Sequence, residues 1–241
     1  MLRLALPVLA ALALLLPAPA RAQQTVTEAA FDLYFAGIRA GIVAFKGITT
    51  DNQYSVAGRI QSTGLLRLVA NLRYDARSIG RIVGDRFVPS RYQEVANTGR
   101  RQSDALMEYE GGVPQVKRYA PPREPKPYDL DPATQGGTLD PAASVFYLLR
   151  DVPREKACRG SVEMFDGQRR SRLTVANPRT EGQKLVCDGE YRRLAGFAPW
   201  EMEEKTRFPF SVTYVPNGNG EMKVESVRID TLYGIAKLNR R

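Results

Sequence analysis

In the stretch SVEMFDGQRRSRLTVANP (residues 161–178), Val162 and Met164 alternate with polar neighbours, the pair Asp166-Gly167 follows, and Ser171, Leu173 and Val175 resume the alternation. A period of two puts successive side chains on opposite faces of a β-strand. Asp-Gly between two such runs is a strong hairpin signal, because both residues tolerate positive φ. On the outgoing strand Arg170 and Arg172 share the face opposite Leu173, where solvent is the expected partner. The competing reading, a catalytic carboxylate with an arginine anion clamp, lacks the second acid or base that hydrolysis wants.

The same period recurs outward from this hairpin. In AFDLYFA (30–36), Phe31, Leu33 and Phe35 oppose Asp32, Tyr34 and Ala36; in YSVAGRIQ (54–61), Tyr54, Val56 and Ile60 oppose Ser55, Ala57, Arg59 and Gln61. Turn signals fall between such runs: GIRAG at 37–41, Asp51-Asn52, Gly84-Asp85, Gly111-Gly112 and PNGNG at 216–220. Short strands punctuated in this way predict an antiparallel, meandering sheet.

Two stretches carry a helical period instead. Leu65, Leu68, Val69 and Leu72 predict a short helix ahead of a strand starting near Leu72. In LDPAASVFYLLRDV, Asp140 suits an N-cap, Pro141 the first helical position, and Val145, Leu148, Leu149 and Val152 an apolar stripe. Residues 119–138 hold five prolines and little that packs, which predicts a long loop joining two strand blocks, draped over a sheet edge or cavity mouth or merely solvated.

The chain opens MLRLALPVLAALALLLPAPARAQQ: a basic Arg3, an apolar run from Leu4 to Leu16, and a small-residue site ending at Ala22. This order predicts a secretory signal peptide over 1–22, cleaved after Ala22, with one domain over 23–241 and a periplasmic location. The apolar run is well short of the roughly 20 residues that cross a bilayer. No later segment reads as transmembrane. The net charge of +9 falls to +7 once Arg3 and Arg21 leave with the signal peptide. The basic residues look scattered and an exported protein meets no nucleic acid, so anionic lipid headgroups or envelope polymers are the expected neighbours.

Histidine is absent, which removes the usual base for a serine or cysteine nucleophile and the commonest metal ligand. The two cysteines, Cys158 and Cys187, predict a disulfide in an oxidising compartment, closing the segment that carries the Asp-Gly hairpin.

In their order along the chain, FAGIRAG (35–41), STGLLRLV (62–69), YEGGVPQV (109–116), TLDPAASVFYLL (138–149), MFDGQRRSRL (164–173), the later cysteine with AGF (195–197) and TLYGIAKL (231–238) resemble domain of unknown function 3108. Met164 stands where that pattern has a branched residue. The resemblance covers nearly the whole mature chain. It implies a bacterial envelope protein with a strongly curved antiparallel sheet, a partial barrel or spiral, and no assigned catalytic residues, so no residue's role carries over.

The expected fold is therefore mainly β: about ten to twelve strands coiled into one curved sheet, with one or two short helices in or against it. A sheet of more than about eight strands must enclose a ligand, a helix or a flattened core. The helix from Pro141 to Arg150, with Phe146, Leu148 and Leu149 turned inward, is one candidate filling. A lipid or other hydrophobic ligand lined by Phe31, Leu33, Phe35, Phe146, Phe208, Phe210 and Val212 is the other. Function divides accordingly between a non-enzymatic envelope protein that holds such a ligand and supports envelope integrity, and a solid-cored scaffold whose basic outer face meets an anionic polymer or another envelope protein. A histidine-free hydrolase would need Asp140 beside Asp166 or Glu163 within about 10 Å, and Asp140 is already explained by its cap. No catalytic residue, cofactor or metal ligand is assigned.

Overall fold

The computed structural model describes residues 24–64, 67, 71–99 and 102–241. The predicted signal peptide and the core of the helix expected over 65–72 lie outside the described residues. In chain order the first meander is β1 (Thr25–Phe35), β2 (Ile38–Thr49), β3 (Gln53–Ser62), β4 (Arg73–Val83), β5 (Arg86–Asn97), β6 (Gln102–Glu110) and β7 (Val113–Ala120). Helix α1 (Pro141–Leu149) and the short β8 (Val152–Pro153) separate it from a second meander of β9 (Gly160–Phe165), β10 (Arg170–Glu181), β11 (Lys184–Ala195), helix α2 (Pro199–Glu204), β12 (Arg207–Pro216), β13 (Glu221–Thr231) and β14 (Gly234–Arg240).

All these strands belong to one antiparallel sheet of 14, more than the ten to twelve expected. Each meander pairs neighbours in sequence, and β1 joins β14 from Phe31 opposite Arg240 to Phe35 opposite Ala236. That single ladder makes two meanders into one sheet. Along β3 the expected alternation holds, with Tyr54 and Val56 buried and Ser55, Ala57 and Arg59 exposed. The turn expected at 37–41 sits one residue earlier, at Ala36 (φ 48°) and Gly37 (φ 83°), a two-residue loop that needs positive φ at both positions.

The sheet is not closed: β7 and β9 are its edges. The proline-rich segment spans them, as a loop draped over a sheet edge. Gly137 donates its N–H to Gly112 O at the β6–β7 turn, Leu130 to Gln168 O at the β9–β10 turn, and Leu139 to Glu163 O on β9, while Phe165 N–H donates back to Leu139 O. Backbone groups on an unpaired edge are thereby satisfied without a closing strand.

The Asp-Gly hairpin is present, with a different turn from the one expected. Its loop has four residues, Asp166 to Arg169, and only Gly167 takes positive φ. The Asp166 carboxylate accepts from the N–H groups of Gln168 (3.0 Å) and Arg169 (2.8 Å), which a two-residue turn would not present. Solvent is not the partner of Arg170 and Arg172: both donate to Glu163 of β9, which lies directly opposite Arg172 and diagonal to Arg170.

Helix α1 sits against the inner face of the sheet. Asp140 caps it, accepting from Ala143 N–H at 2.8 Å, and Pro141 opens it. The buried side is Ala143, Ser144, Phe146 and Leu149; Leu148 is half-buried, and Val145, expected in the stripe, is 41% exposed. The helix is rotated from the expected stripe because it packs on β3, β4 and β5 as well as β9, and the space between them takes a ring. Phe146 lies over Gly47, where a Cβ would come within 2.1 Å of the ring, and meets Phe45 edge-on at 5.8 Å. Tyr214 donates its hydroxyl to Leu148 O at 3.1 Å, tying the helix to the opposite half of the sheet. Among the described residues no helix is long and apolar enough to cross a membrane.

Cys158, in the link between α1 and β9, is bonded to Cys187 on β11, with Cα atoms 5.3 Å apart. Closing a 29-residue separation is worth roughly 3 kcal/mol on the chain-entropy account. Replacing both cysteines by alanine is expected to lower the unfolding free energy in urea by about 2–5 kcal/mol; a change under about half a kcal/mol would show that the bridge constrains little. Gly47→Ala is expected to cost about 1–3 kcal/mol by overpacking. Combining it with Phe146→Leu should cost less than the sum of the two single changes, because both compete for one space; strict additivity would refute that competition.

Candidate functional site

The residues expected to line a ligand space are mostly packed core. Phe31, Phe146, Phe208 and Val212 are buried, Leu33 and Phe210 half-buried, and Phe35 is 36% exposed where β1 ends. Phe31 stacks on Phe45 at 6.4 Å and Phe45 meets Phe146, so these two predicted residues share one aromatic chain. Phe208 stands elsewhere, tilted on Tyr191 at 5.7 Å with Arg193 and Lys205 over its ring. Phe210 fills the space that Gly189 leaves open, its ring 2.0 Å from where a Cβ would be.

Beside the N-terminus of α1 the interior turns polar. Asp140, with no exposed surface, accepts from Ser78 Oγ at 2.6 Å as well as from Ala143 N–H. Since the Ser78 proton is committed to Asp140, the Tyr54 hydroxyl at 3.1 Å donates to Ser78. Burial pushes the Asp140 carboxyl up to about 7 against the pull of these hydrogen bonds. Tyr74 and Tyr92 both donate to Glu94. The buried Tyr109 hydroxyl finds no partner among the described residues, and burial together with the Asp140 charge raises its pKa. Tyr74, Ser78, Tyr92, Glu94 and Tyr109 occupy inward positions on β4, β5 and β6, where a polar residue simply reads as an interruption of the apolar pattern, so sequence reasoning missed them, although it had placed Asp140 at the cap and Tyr54 in an alternating strand.

The three carboxylates weighed for hydrolysis are each engaged separately. Asp140 is enclosed at the helix cap, and Asp166 serves its own turn, its carboxyl raised by burial against hydrogen bonds from Arg169 and Gln168. Partial burial works to raise Glu163, and Arg172 and Arg170 outweigh it, holding that carboxyl below its usual range.

A further depression lies on the other side of the sheet. About 780 Å³ in volume, it crosses β1 to β5. Ala44 and Lys46 flank Phe45, whose ring points to α1, so both face away from the helix. Cross-strand register carries that outer face along two rows: Ala30, Ala44, Arg59 and Asp75 in one, Glu28, Lys46, Ala57, Arg77 and Gln93 in the other. Ala30, Ala44 and Ala57 form a shallow floor because their side chains are short; Lys46, Arg59, Arg73 and Arg77 stand around it. The volume falls within the range of small-ligand clefts, roughly 300–1,000 Å³. Four basic residues that are far apart in the chain, Lys46, Arg59, Arg73 and Arg77, are thus brought together here.

A family model described as "Protein of unknown function (DUF3108)" matches residues 30–195. No curated protein matches the chain. Among solved structures, the chain is similar to a beta-barrel-like protein of domain of unknown function DUF1849 from Brucella abortus, at 12% identity and a TM-score of 0.50, over 90% of this chain and 95% of that one. At that identity the likeness concerns the fold alone.

Asp140 also sets an expected pH dependence. Its folded pKa, about 7, lies above the ordinary value of 3.8, so its contribution to stability is complete below about pH 4 and is lost as pH rises through about 7. Asp140→Asn keeps an oxygen for the cap and cannot ionise. In urea titrations the stability of the native chain relative to this variant should fall between about pH 4 and pH 7. A difference constant over that interval would mean that Asp140 does not titrate there.

Proposed function

This chain belongs to the DUF3108 family of proteins of unknown function, and from that premise we propose a non-enzymatic bacterial envelope protein that works through its outer surface around a filled interior. Export through a signal peptide cleaved after Ala22 and residence in the periplasm are part of the proposal. The Cys158–Cys187 bond is compatible with that oxidising compartment.

The observation that carries this reading is the seat of α1. With Phe146 over Gly47, Phe45 and Phe87 around it, and Tyr214 bonded to Leu148 O, much of the space that a lipid would need inside the curved sheet is taken by the protein itself. Close packing of this kind leaves binding to the exterior. The separate engagement of Asp140, Asp166 and Glu163, in a chain with no histidine, supports a non-enzymatic role.

Organic extracts of protein purified from the periplasm, read by mass spectrometry, test the proposal. No lipid or acyl chain should recur at a one-to-one ratio, and the native chain should not take up the apolar dye N-phenylnaphthylamine. Phe146→Ala, which empties the space of a buried ring, should gain one dye per chain. A stoichiometric lipid in the native protein would overturn the filled interior and restore the ligand-holding alternative.

A further inference from the structure

We propose that the outer groove across β1–β5 binds a soluble polyanion, a linear polymer bearing phosphate or carboxylate groups. The inference names the ligand of the outward-acting surface and rests on that reading.

The chemistry turns on Asp75. Arg59 donates Nε to its Oδ1 at 2.5 Å and Arg73 donates Nε to its Oδ2 at 2.6 Å. One carboxylate thus fixes two guanidinium groups by their inner nitrogens. Among the described residues the terminal Nη nitrogens of both have no hydrogen-bond partner, so each keeps donors for an incoming oxyanion. Arginine's planar fork matches phosphate and carboxylate oxygens, two at a time. Arg77, on the same face of β4 two residues beyond Asp75, makes no ion pair among the described residues. Among the described residues Lys46 pairs only with Glu28 at 3.3 Å, both side chains more than half exposed, an interaction weak enough in water to be exchanged for a better anion.

Charge and shape then restrict the ligand. Lys46, Arg59, Arg73 and Arg77 stand against Glu28 and Asp75, four positive charges to two negative, so the site matches a ligand with at least two negative groups. Glu94, the other acid at the groove, turns its carboxylate to the tyrosines of the inner face. The alanine floor is recessed between these cations. A polymer strand can lie on such a floor, whereas a flat bilayer would touch only the rim.

Fluorescence anisotropy of the mature chain against labelled long-chain polyphosphate and polygalacturonate is the test. At least one polymer should bind saturably, and the affinity should fall as salt rises from about 50 to about 300 mM. Arg77→Ala should weaken binding about tenfold without moving the thermal midpoint, since Arg77 holds nothing in the fold. Ala57→Trp, at an exposed position on the floor, should abolish it, and Arg228→Ala on β13, outside the groove, should leave it unchanged. Equal losses from Arg77→Ala and Arg228→Ala, no saturable binding of either polymer, or binding to phosphatidylglycerol vesicles alone would each overturn the proposal. A lipid extracted from the interior would instead refute only the filled interior, provided the groove variants still behave as stated.

Discussion

The interior of this protein depends on an absence at position 47. A strongly curved sheet of 14 strands encloses more volume than its own inward side chains fill, and α1 occupies that volume only because Gly47 has no side chain beneath the Phe146 ring. Around this contact the two meanders become one body: Phe45 and Phe87 approach the ring from β2 and β5, and Tyr214 reaches the helix backbone from β12. The disulfide holds the segment that follows α1 to β11. Lateral continuity has a second origin, the β1–β14 ladder, which pairs the two ends of the described chain.

The inner and outer faces of the same strands divide the polar work. Inside, Asp140, Ser78 and Tyr54 form a hydrogen-bonded line at the start of α1, and burial keeps the Asp140 proton bound to higher pH than a solvated carboxylate would. Outside, Asp75 stays within reach of water; burial raises its pKa somewhat and Arg73 and Arg59 more than reverse this, so it stands ionised and able to organise cations. A carboxylate is enclosed in one place and surrounded by guanidinium groups in the other, and the difference follows from which face of β4 each one meets.

Much of the architecture is legible in the sequence. The alternation in residues 30–36 and 54–61, the Asp-Gly hairpin and the Asp140-Pro141 helix start rest on local chemistry, which acts over a few residues, and the cysteine pair follows from there being two cysteines in the chain. Errors arose where a neighbour distant in the chain decided. Val145 seemed core by helical period, yet strands from both meanders select Phe146 for the inner side; Arg170 and Arg172 seemed bound for solvent, yet strand register places Glu163 beside them.

By itself the sequence determined the mainly β class, the strand order within each meander, the capped helix and the disulfide, because side-chain period, turn residues and a pair of cysteines can be read without knowing which strands lie side by side. Tertiary structure alone decided that the first and last strands pair, that the 121–139 segment spans the two free edges, and that Lys46, Arg59, Arg73 and Arg77 surround one recess. Those residues come from three different strands, and their proximity is created only by lateral register and curvature, which depend on the whole sheet being assembled at once.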